Sequence, residues 1–232
     1  MRIALAQTHP RLRDFNYNFH DHAHLARDAA GEGCEAIFFP ELSLTGYVDR
    51  GAETCTLTEE GSECSALQGL ARRYKLVMGV GMPLAGQQKP RIATVFFHPE
   101  GRPTTYAKQW LHADEQPFFE AGNAFYTLDL SGGRVVPATC YEVFVPAHLE
   151  GARALSPDLY LVSGAKPVAN LERAVQRSAA IARDHRLAVA LVNQAGPAEG
   201  FVAAGGTTAW DRTGKQLGQL GTDSTDLLVV DF

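Results

Sequence analysis

Pro-Ala-Thr-Cys-Tyr-Glu (137–142) closes a valine-rich apolar run, and Cys140 therefore follows directly after a predicted β-strand. Outward from this segment, short apolar runs rich in β-branched residues alternate with helix-like stretches, which predicts an α/β fold. A cysteine that follows a strand is most often a small buried hydrophobic residue. Cys140 by itself therefore indicates packing, and any chemistry depends on its neighbours in the fold.

Two earlier segments each place a charged residue just past a strand-like run. Phe-Phe-Pro-Glu-Leu-Ser-Leu-Thr-Gly-Tyr (38–47) carries Glu41, and Thr-Tyr-Ala-Lys-Gln-Trp-Leu-His (105–112) carries Lys108. A carboxylate, an ammonium group and a thiol that each follow a strand can meet at one rim of a folded sheet. The joint pattern predicts an active site with a cysteine nucleophile.

The predicted secondary-structure elements are short and numerous. Strands are predicted at 2–7, 35–39, 76–81, 92–98, 125–130, 134–139, 158–163, 187–192, 207–210 and 226–231. Helices are predicted from Asp14 or Asn16 to about Ala30, from Ser62 or Glu63 through Tyr74, and from Leu171 to His185. The glycine-rich breaks are turn-sized and no repeat occurs, so we expect residues 1–232 to form a single domain.

The bulk composition argues against several classes of function. The 232 residues are 45% apolar, which is enough for a sizeable core, and the net charge of −5 argues against a nucleic-acid or anionic-membrane surface. No run approaches the roughly 20 apolar residues of a membrane span, and Arg2–Gln7 has the pattern of a strand and not of a signal peptide. The four cysteines lack the paired spacing of zinc or redox sites. We therefore expect reduced thiols, no metal and a cytoplasmic protein.

Taken together, these motifs resemble those of the carbon–nitrogen hydrolase family, also called the nitrilase superfamily. The resemblance rests on Pro-Glu-Leu-x-x-Thr-Gly-Tyr around Glu41, on the lysine before Leu-His, and on the cysteine followed by an aromatic and an acidic residue. It extends from Ile3 to Gly-Thr-Thr-Ala-Trp-Asp-Arg-Thr-Gly (206–214). It implies an α-β-β-α sandwich of two mixed sheets flanked by helices. Relatives generally pair through the helical layer after the cysteine, which implies a homodimer or higher homo-oligomer with 147–154 and 171–185 near the interface.

The resemblance also assigns roles to the residues that match the family motifs. Cys140 is expected to be the nucleophile that forms a thioester, and Glu41 the base that takes the thiol proton. Lys108 is expected to face the developing oxyanion together with the backbone N–H of Tyr141. No cofactor is implied by this chemistry.

Residues near the lysine and the cysteine refine this assignment. Relatives carry a second glutamate that hydrogen-bonds the lysine; Glu115 matches its place best, with Asp114 and Glu120 as alternatives. Relatives that hydrolyse nitriles usually have tryptophan after the cysteine, so Tyr141 favours amide or N-carbamoyl substrates. Glu142 is expected to support the scaffold and not to carry protons.

Residues beside the motifs are candidates for a substrate pocket. Aromatic side chains that can line an apolar acyl site, or pack in the core, are Tyr47, Trp110, Phe118, Phe119 and Phe144. A second group follows a later strand and is expected to close the acyl side: Ser163, Gly164 and Ala165. Lys166, next to this group, is a candidate partner for a substrate carboxylate.

The sequence therefore predicts a cofactor-independent thiol amidohydrolase that acts on a small carboxamide or N-carbamoyl compound and releases ammonia or an amine. Two alternatives stay open: acyl transfer to an amine at the same site, and a non-catalytic binding protein on the same fold. A papain-like pairing of Cys140 with His148 or His185 is a weaker alternative, since it leaves the Glu41 and Lys108 segments unexplained. The helical histidines around His22 lack the cysteine or carboxylate that a metal site needs.

Overall fold

The computed structural model describes residues 1–232 as two packed β-sheets with helices on their outer faces. Four α-helices, numbered along the chain, are α1 (Phe15–Gly31), α2 (Ser62–Tyr74), α3 (Pro146–Ala154) and α4 (Val168–His185). Two short 3₁₀ helices cover Ala52–Cys55 and Cys140–Phe144. None of the helices is both long and apolar enough to cross a membrane.

Each sheet has six strands, with three parallel strands among them. The first sheet runs in the order β14-β1-β2-β3-β4-β5 and contains β1 (Arg2–Gln7), β2 (Ala36–Phe38), β3 (Val77–Leu84), β4 (Arg91–Phe97), β5 (Thr104–Ala107) and β14 (Asp226–Asp231). The second runs in the order β13-β12-β9-β8-β7-β6 and contains β6 (Leu128–Leu130), β7 (Gly133–Thr139), β8 (Leu159–Gly164), β9 (Ala188–Asn193), β12 (Thr208–Trp210) and β13 (Gln216–Gln219). The parallel strands are β1, β2 and β3 in the first sheet and β7, β8 and β9 in the second. A separate hairpin joins β10 (Ala195–Ala198) to β11 (Phe201–Ala204).

The layers follow from the alternation of side chains along the strands. In β1, Ala4 and Ala6 belong to the apolar cluster that includes residues of α1 and α2. Ile3 and Leu5 point the other way, into the cluster shared by strands of both sheets. A third cluster contains residues of α3, α4 and the outer face of the second sheet. The predicted α-β-β-α sandwich is confirmed.

Most of the predicted elements are present, with shifted ends. Asp14 caps α1, since its Oδ1 accepts a hydrogen bond from the backbone N–H of Tyr17 at 3.0 Å. Helix α4 begins at Val168, three residues before the predicted start, and 125–130 is a strand only over Leu128–Leu130. The strand list omitted β5, β13 and the β10–β11 hairpin. All four strands are four residues long; β5, β10 and β13 hold glycine, proline, glutamine or threonine, and β11 is the short run Phe-Val-Ala-Ala.

Candidate active site

The candidate residues identified in the sequence follow strands of both sheets. Glu41 lies after β2, and Lys108 directly follows β5, both in the first sheet. Cys140 directly follows β7 of the second sheet, and Lys166 lies two residues after β8. Packing the sheets face to face brings these strand ends together, and Glu115 joins them from the loop that follows Lys108.

Lys108 sits between two buried carboxylates. Its Nζ donates to Oε1 of Glu41 at 2.8 Å and to Oε1 of Glu115 at 2.6 Å, and all three side chains are almost completely buried. Burial works against the charged form of Lys108, but the negative charges of the two glutamates outweigh it and raise the pKa of Lys108 above its ordinary value. The lysine is therefore a fixed ammonium group.

Glu41 has one oxygen engaged and one free. Its Oε1 accepts the lysine hydrogen bond, whereas its Oε2 is buried without any hydrogen-bond partner. Burial raises the pKa of Glu41, although Lys108 acts in the opposite direction. A buried carboxylate with a raised pKa and a free oxygen is suited to accepting a proton.

Glu115 is fixed by three donors. Besides Lys108, the hydroxyl of Tyr47 donates to its Oε1 at 2.9 Å and the backbone N–H of His112 donates to its Oε2 at 2.7 Å. The alternatives proposed for this position lie elsewhere. Asp114 is exposed, and Glu120 accepts from the backbone of a neighbouring turn and from Arg91. The structure thus places Glu115, and neither alternative, against the lysine.

Cys140 occupies a turn that few residues other than glycine adopt. Its φ of 47° lies in the left-handed region, at the start of the 3₁₀ helix that ends β7. Burial raises the pKa of its thiol, the charge of Glu41 raises it further, and the charges of Lys166 and Lys108 lower it. Near neutral pH the group is a thiol, so it needs a base to become a nucleophile.

A cleft of about 1050 Å³ opens above Cys140. Of the predicted pocket residues, those that line it are Tyr47, Phe118, Tyr141, Phe144 and Ala165, together with Lys166. Tyr141 stands at its edge, 38% exposed, with its ring against that of His112.

Four of the residues predicted to line the pocket do not line the cleft. The ring of Trp110 packs against Phe125 and His148. Phe119 is buried in a small apolar cluster. Ser163 and Gly164 are the last residues of β8 and are buried in the second sheet, because the chain leaves the strand only at Ala165. For Trp110 and Phe119 the alternative of packing in the interior holds, whereas Ser163 and Gly164 were expected after the strand and instead end it.

Comparison with known proteins places this site in a family. Residues 2–232 match the family described as carbon–nitrogen hydrolase. The chain belongs to the carbon–nitrogen hydrolase family. It is 28% identical over 230 residues to an (R)-stereoselective amidase from a Pseudomonas species, which covers 96% of this chain and 82% of that protein.

Solved structures agree with this carbon–nitrogen hydrolase assignment. An amidase from Nesterenkonia sp. AN1 has a TM-score of 0.88 at 28% identity, covering 100% of this chain and 93% of its own. In that structure acrylamide has added to the active-site cysteine by Michael addition. A superfamily member from Xanthomonas campestris, at 20% identity and a TM-score of 0.90, covers 99% of this chain and 89% of its own and shares the fold.

In this carbon–nitrogen hydrolase, Glu142 supports the turn that carries Cys140. Its Oε1 accepts the backbone N–H groups of Gln109 and Trp110 at 2.7 and 3.1 Å. Its Oε2 accepts the backbone N–H that precedes Cys140 and the hydroxyl of Tyr106, at 2.6 and 2.7 Å. One carboxylate therefore ties the cysteine turn of the second sheet to the lysine loop of the first.

The segment that carries Glu41 is supported from behind. Leu42 has a left-handed φ of 51°, and a Cβ at Gly81 of β3 would collide with the carbonyl oxygen of Pro40. His22, which sequence analysis left without a role, is buried and shares a hydrogen bond of 2.9 Å with the hydroxyl of Ser43. No group of side chains in the structure is arranged to hold a metal ion.

The papain-like alternative is wrong for His148. Its Nε2 lies 2.9 Å from the hydroxyl of Tyr106 and its Nδ1 lies 2.8 Å from that of Tyr160, so both ring nitrogens are engaged away from the thiol. Burial lowers the pKa of His148 to about 4, which keeps the ring neutral. His185 ends α4, beyond the helix face that lines the cleft.

Sequence analysis missed two features of the site. Lys166 contacts Cys140 itself, which the parallel pairing of β7 with β8 explains, because Thr139 lies beside Ser163 in adjacent strands. The start of α4 adds Asn170 and Arg173 to the cleft wall. Their spacing of three on a helix places them on one face, and this was the available signal.

Proposed function

We propose that the protein hydrolyses the C–N bond of a small carboxamide or N-carbamoyl compound through a thioester on Cys140. The observation that supports this most directly is the free, buried Oε2 of Glu41, next to Lys108, which donates to both Glu41 and Glu115. The amidases among the relatives support the choice of amides as the substrate class.

In the first half of the reaction, Glu41 takes the thiol proton and the sulfur attacks the carbonyl carbon. The carbonyl oxygen gains negative charge and meets the ammonium group of Lys108 and the backbone N–H of Tyr141. Glu41 then gives its proton to the departing nitrogen as the C–N bond breaks. Glu115 keeps Lys108 oriented and charged throughout.

In the second half, Glu41 takes a proton from water, and the resulting oxygen nucleophile attacks the thioester. The C–S bond breaks, the sulfur recovers its electron pair and the proton, and the carboxylic acid leaves. Every group returns to its starting state. The cycle therefore needs water and the amide alone.

The first experiment is a measurement of ammonia release from a panel of small amides, ureido compounds and nitriles. We expect release from amides or ureido compounds and its complete loss in Cys140→Ala, because no other thiol lines the cleft. Cys55→Ala is the matched control, since Cys55 is another partly exposed thiol that lies away from the cleft. Added hydroxylamine reports whether the acyl group can also pass to an amine.

The outcome that contradicts this proposal is equally specific. Ammonia release that persists at a near-normal rate in Cys140→Ala rules out the thioester. A folded wild-type protein that releases nothing, and whose Cys140 reacts with iodoacetamide no faster than Cys55, supports a binding protein on this fold.

We also propose that residues 1–232 act as one cytoplasmic domain and that copies pair through α3 and α4. These helices form the outer layer of the second sheet, and Val168 at the start of α4 is 75% exposed. An exposed valine on such a layer is consistent with a partner surface. The molar mass in solution from light scattering tests the pairing, and the mass of a monomer at all concentrations excludes it.

A further inference from the structure

Lys166 is a buried cation without an acidic partner. The residue is only 3% exposed, and none of the ion pairs in the structure includes it. Its Nζ donates to the carbonyl oxygen of Cys140 at 3.1 Å and lies 3.5 Å from the Cys140 sulfur. The ring of Phe144 covers it, with the centroid 4.9 Å from Nζ.

The position of Lys166 is fixed by the second sheet and by the separate β10–β11 hairpin. Its backbone N–H donates to Oδ1 of Asn193 at 2.8 Å, and its carbonyl oxygen accepts the backbone N–H of Ala204 at 2.8 Å. The side-chain amide of Asn193 donates to the same carbonyl at 3.3 Å. Hydrogen bonds with Asn193 of β9 and Ala204 of β11 therefore hold the backbone of Lys166 in place next to the thiol.

A buried ammonium group is costly unless an anion lies next to it. The carboxylates nearby are already engaged: Glu41 and Glu115 by Lys108, and Glu142 by four hydrogen bonds. The other cation on this wall, Arg173, stacks on the ring of Phe144, 4.5 Å from its centroid. The group in contact with Lys166 that can become an anion is the Cys140 thiol, 3.5 Å from its Nζ.

The net charge of the buried site also points to an ion pair between Lys166 and the Cys140 sulfur. Lys108 between two glutamates leaves one net negative charge in a buried site. Proton transfer to Glu41 moves that charge from an oxygen 2.8 Å from Lys108 to the sulfur. In a medium of low dielectric constant this displacement is unfavourable unless a second cation faces the sulfur. Lys166 is in that position.

We propose that Lys166 is a further catalytic residue, which forms an ion pair with the Cys140 thiolate. The S–H bond breaks, the proton forms an O–H bond on Oε2 of Glu41, and the electron pair stays on the sulfur beside Lys166. When water later breaks the C–S bond, the electron pair returns to the sulfur and meets the same cation. This inference rests on the proposed function, because it takes Cys140 as the nucleophile.

The electrostatics of the site are consistent with this pairing. The charged groups that act on the Cys140 thiol are Glu41, Lys166, Lys108 and Glu115, and the charge of Lys166 lowers the pKa of the thiol more than that of Lys108 does. Lys166, and not Lys108, is thus the cation with the larger effect on the pKa of the thiol.

The test is the rate at which iodoacetamide alkylates Cys140, measured by intact mass from pH 5 to pH 10, with no substrate present. We compare wild type with three variants. Lys166→Met keeps the bulk and removes the charge, Lys166→Gln is a second neutral variant, and Lys166→Arg keeps the charge. The neutral variants are expected to react about tenfold more slowly at pH 7, with the rise of the rate with pH displaced by about one pH unit toward higher pH. Lys166→Arg is expected to stay within a few-fold of wild type. The alkylation rate of Cys55 in the same samples is the internal control and is expected not to change.

Turnover of a neutral amide supplies the second readout, since loss of the ion pair is expected to lower kcat with little effect on KM. Wild-type and neutral-variant rates that agree across the pH range overturn the inference and leave the proposed function standing. A defect confined to the KM of amides that carry a carboxylate also overturns it, and assigns Lys166 to the substrate. Wild-type Cys140 that reacts no faster than Cys55 contradicts the proposed function itself.

Discussion

Two buried glutamates of this molecule, Glu41 and Glu142, differ in what surrounds their carboxylates. Both are wholly buried, and burial raises the pKa of each. Glu142 accepts four hydrogen bonds, two at each oxygen. Glu41 accepts a hydrogen bond at Oε1 from Lys108, and its Oε2 has no partner.

This difference in hydrogen bonding indicates different roles for the two glutamates. A carboxylate whose oxygens are all engaged has no lone pair available without breaking contacts, so Glu142 stabilises the two loops that it joins. An unsatisfied buried oxygen costs stability, and it persists where a function requires it. Glu41 is the residue of this pair that can accept a proton.

Replacement of Glu41 is expected to give the largest effect. Glu41→Gln keeps the shape and the hydrogen bond from Lys108 to its side-chain oxygen, but it removes the base. We expect kcat to fall by about 10²–10⁴-fold, the usual contribution of general acid–base catalysis, with little change in thermal stability. Steady-state kinetics and a melting curve on the same sample measure this. Full activity in Glu41→Gln would show that another group is the base.

Replacement of Glu142 is expected to affect stability before chemistry. In Glu142→Gln the amide nitrogen faces two donors in place of an acceptor, and these are left unpaired in the interior. We expect a loss of about 2–4 kcal/mol in the free energy of unfolding, which lowers Tm by about 5–15 °C in a domain of this size. Chemical denaturation measures the change. An unchanged midpoint together with a large loss of kcat would reverse the roles of the two glutamates.

The pH dependence of turnover sharpens the same comparison. Glu41 must be ionised to act as a base, and because its pKa is raised, kcat/KM is expected to fall about tenfold per pH unit below a midpoint higher than that of an ordinary carboxyl group. At high pH, activity is lost as Cys140 gives up the proton that the leaving nitrogen needs, above the ordinary pKa of a thiol. The two midpoints belong to the coupled pair. An acidic midpoint at or below about 4.3 contradicts the raised pKa.

Much of the candidate site could be predicted from the sequence because its members lie at strand ends. A short strand-like run followed by one polar or charged residue is a local pattern, and the three motifs in order indicated Glu41, Lys108 and Cys140, although the strand before Lys108 was not itself predicted. The layered fold and the choice of Glu115 came from the family resemblance. The sequence alone left Asp114 and Glu120 open, since all three carboxylates share one loop.

The rest depended on contacts between strands, which no local pattern encodes. Lys166 contacts Cys140 because β7 and β8 are parallel neighbours, and strand order is a property of the whole sheet. Trp110 was placed in the pocket because it lies near Lys108 in sequence, yet its ring points toward His148. The free oxygen of Glu41 depends on which donors are absent, and a sequence does not show that.

The division of the site between two sheets also affects when the thiol becomes reactive. The first sheet carries Glu41 and Lys108, and the second carries Cys140 and Lys166. A chain in which the second sheet has formed without the first has Lys166 beside Cys140 but lacks Glu41 and Lys108. Such a partly folded molecule holds the thiol without the carboxylate that we propose takes its proton. The four groups are together only when the two sheets pack face to face.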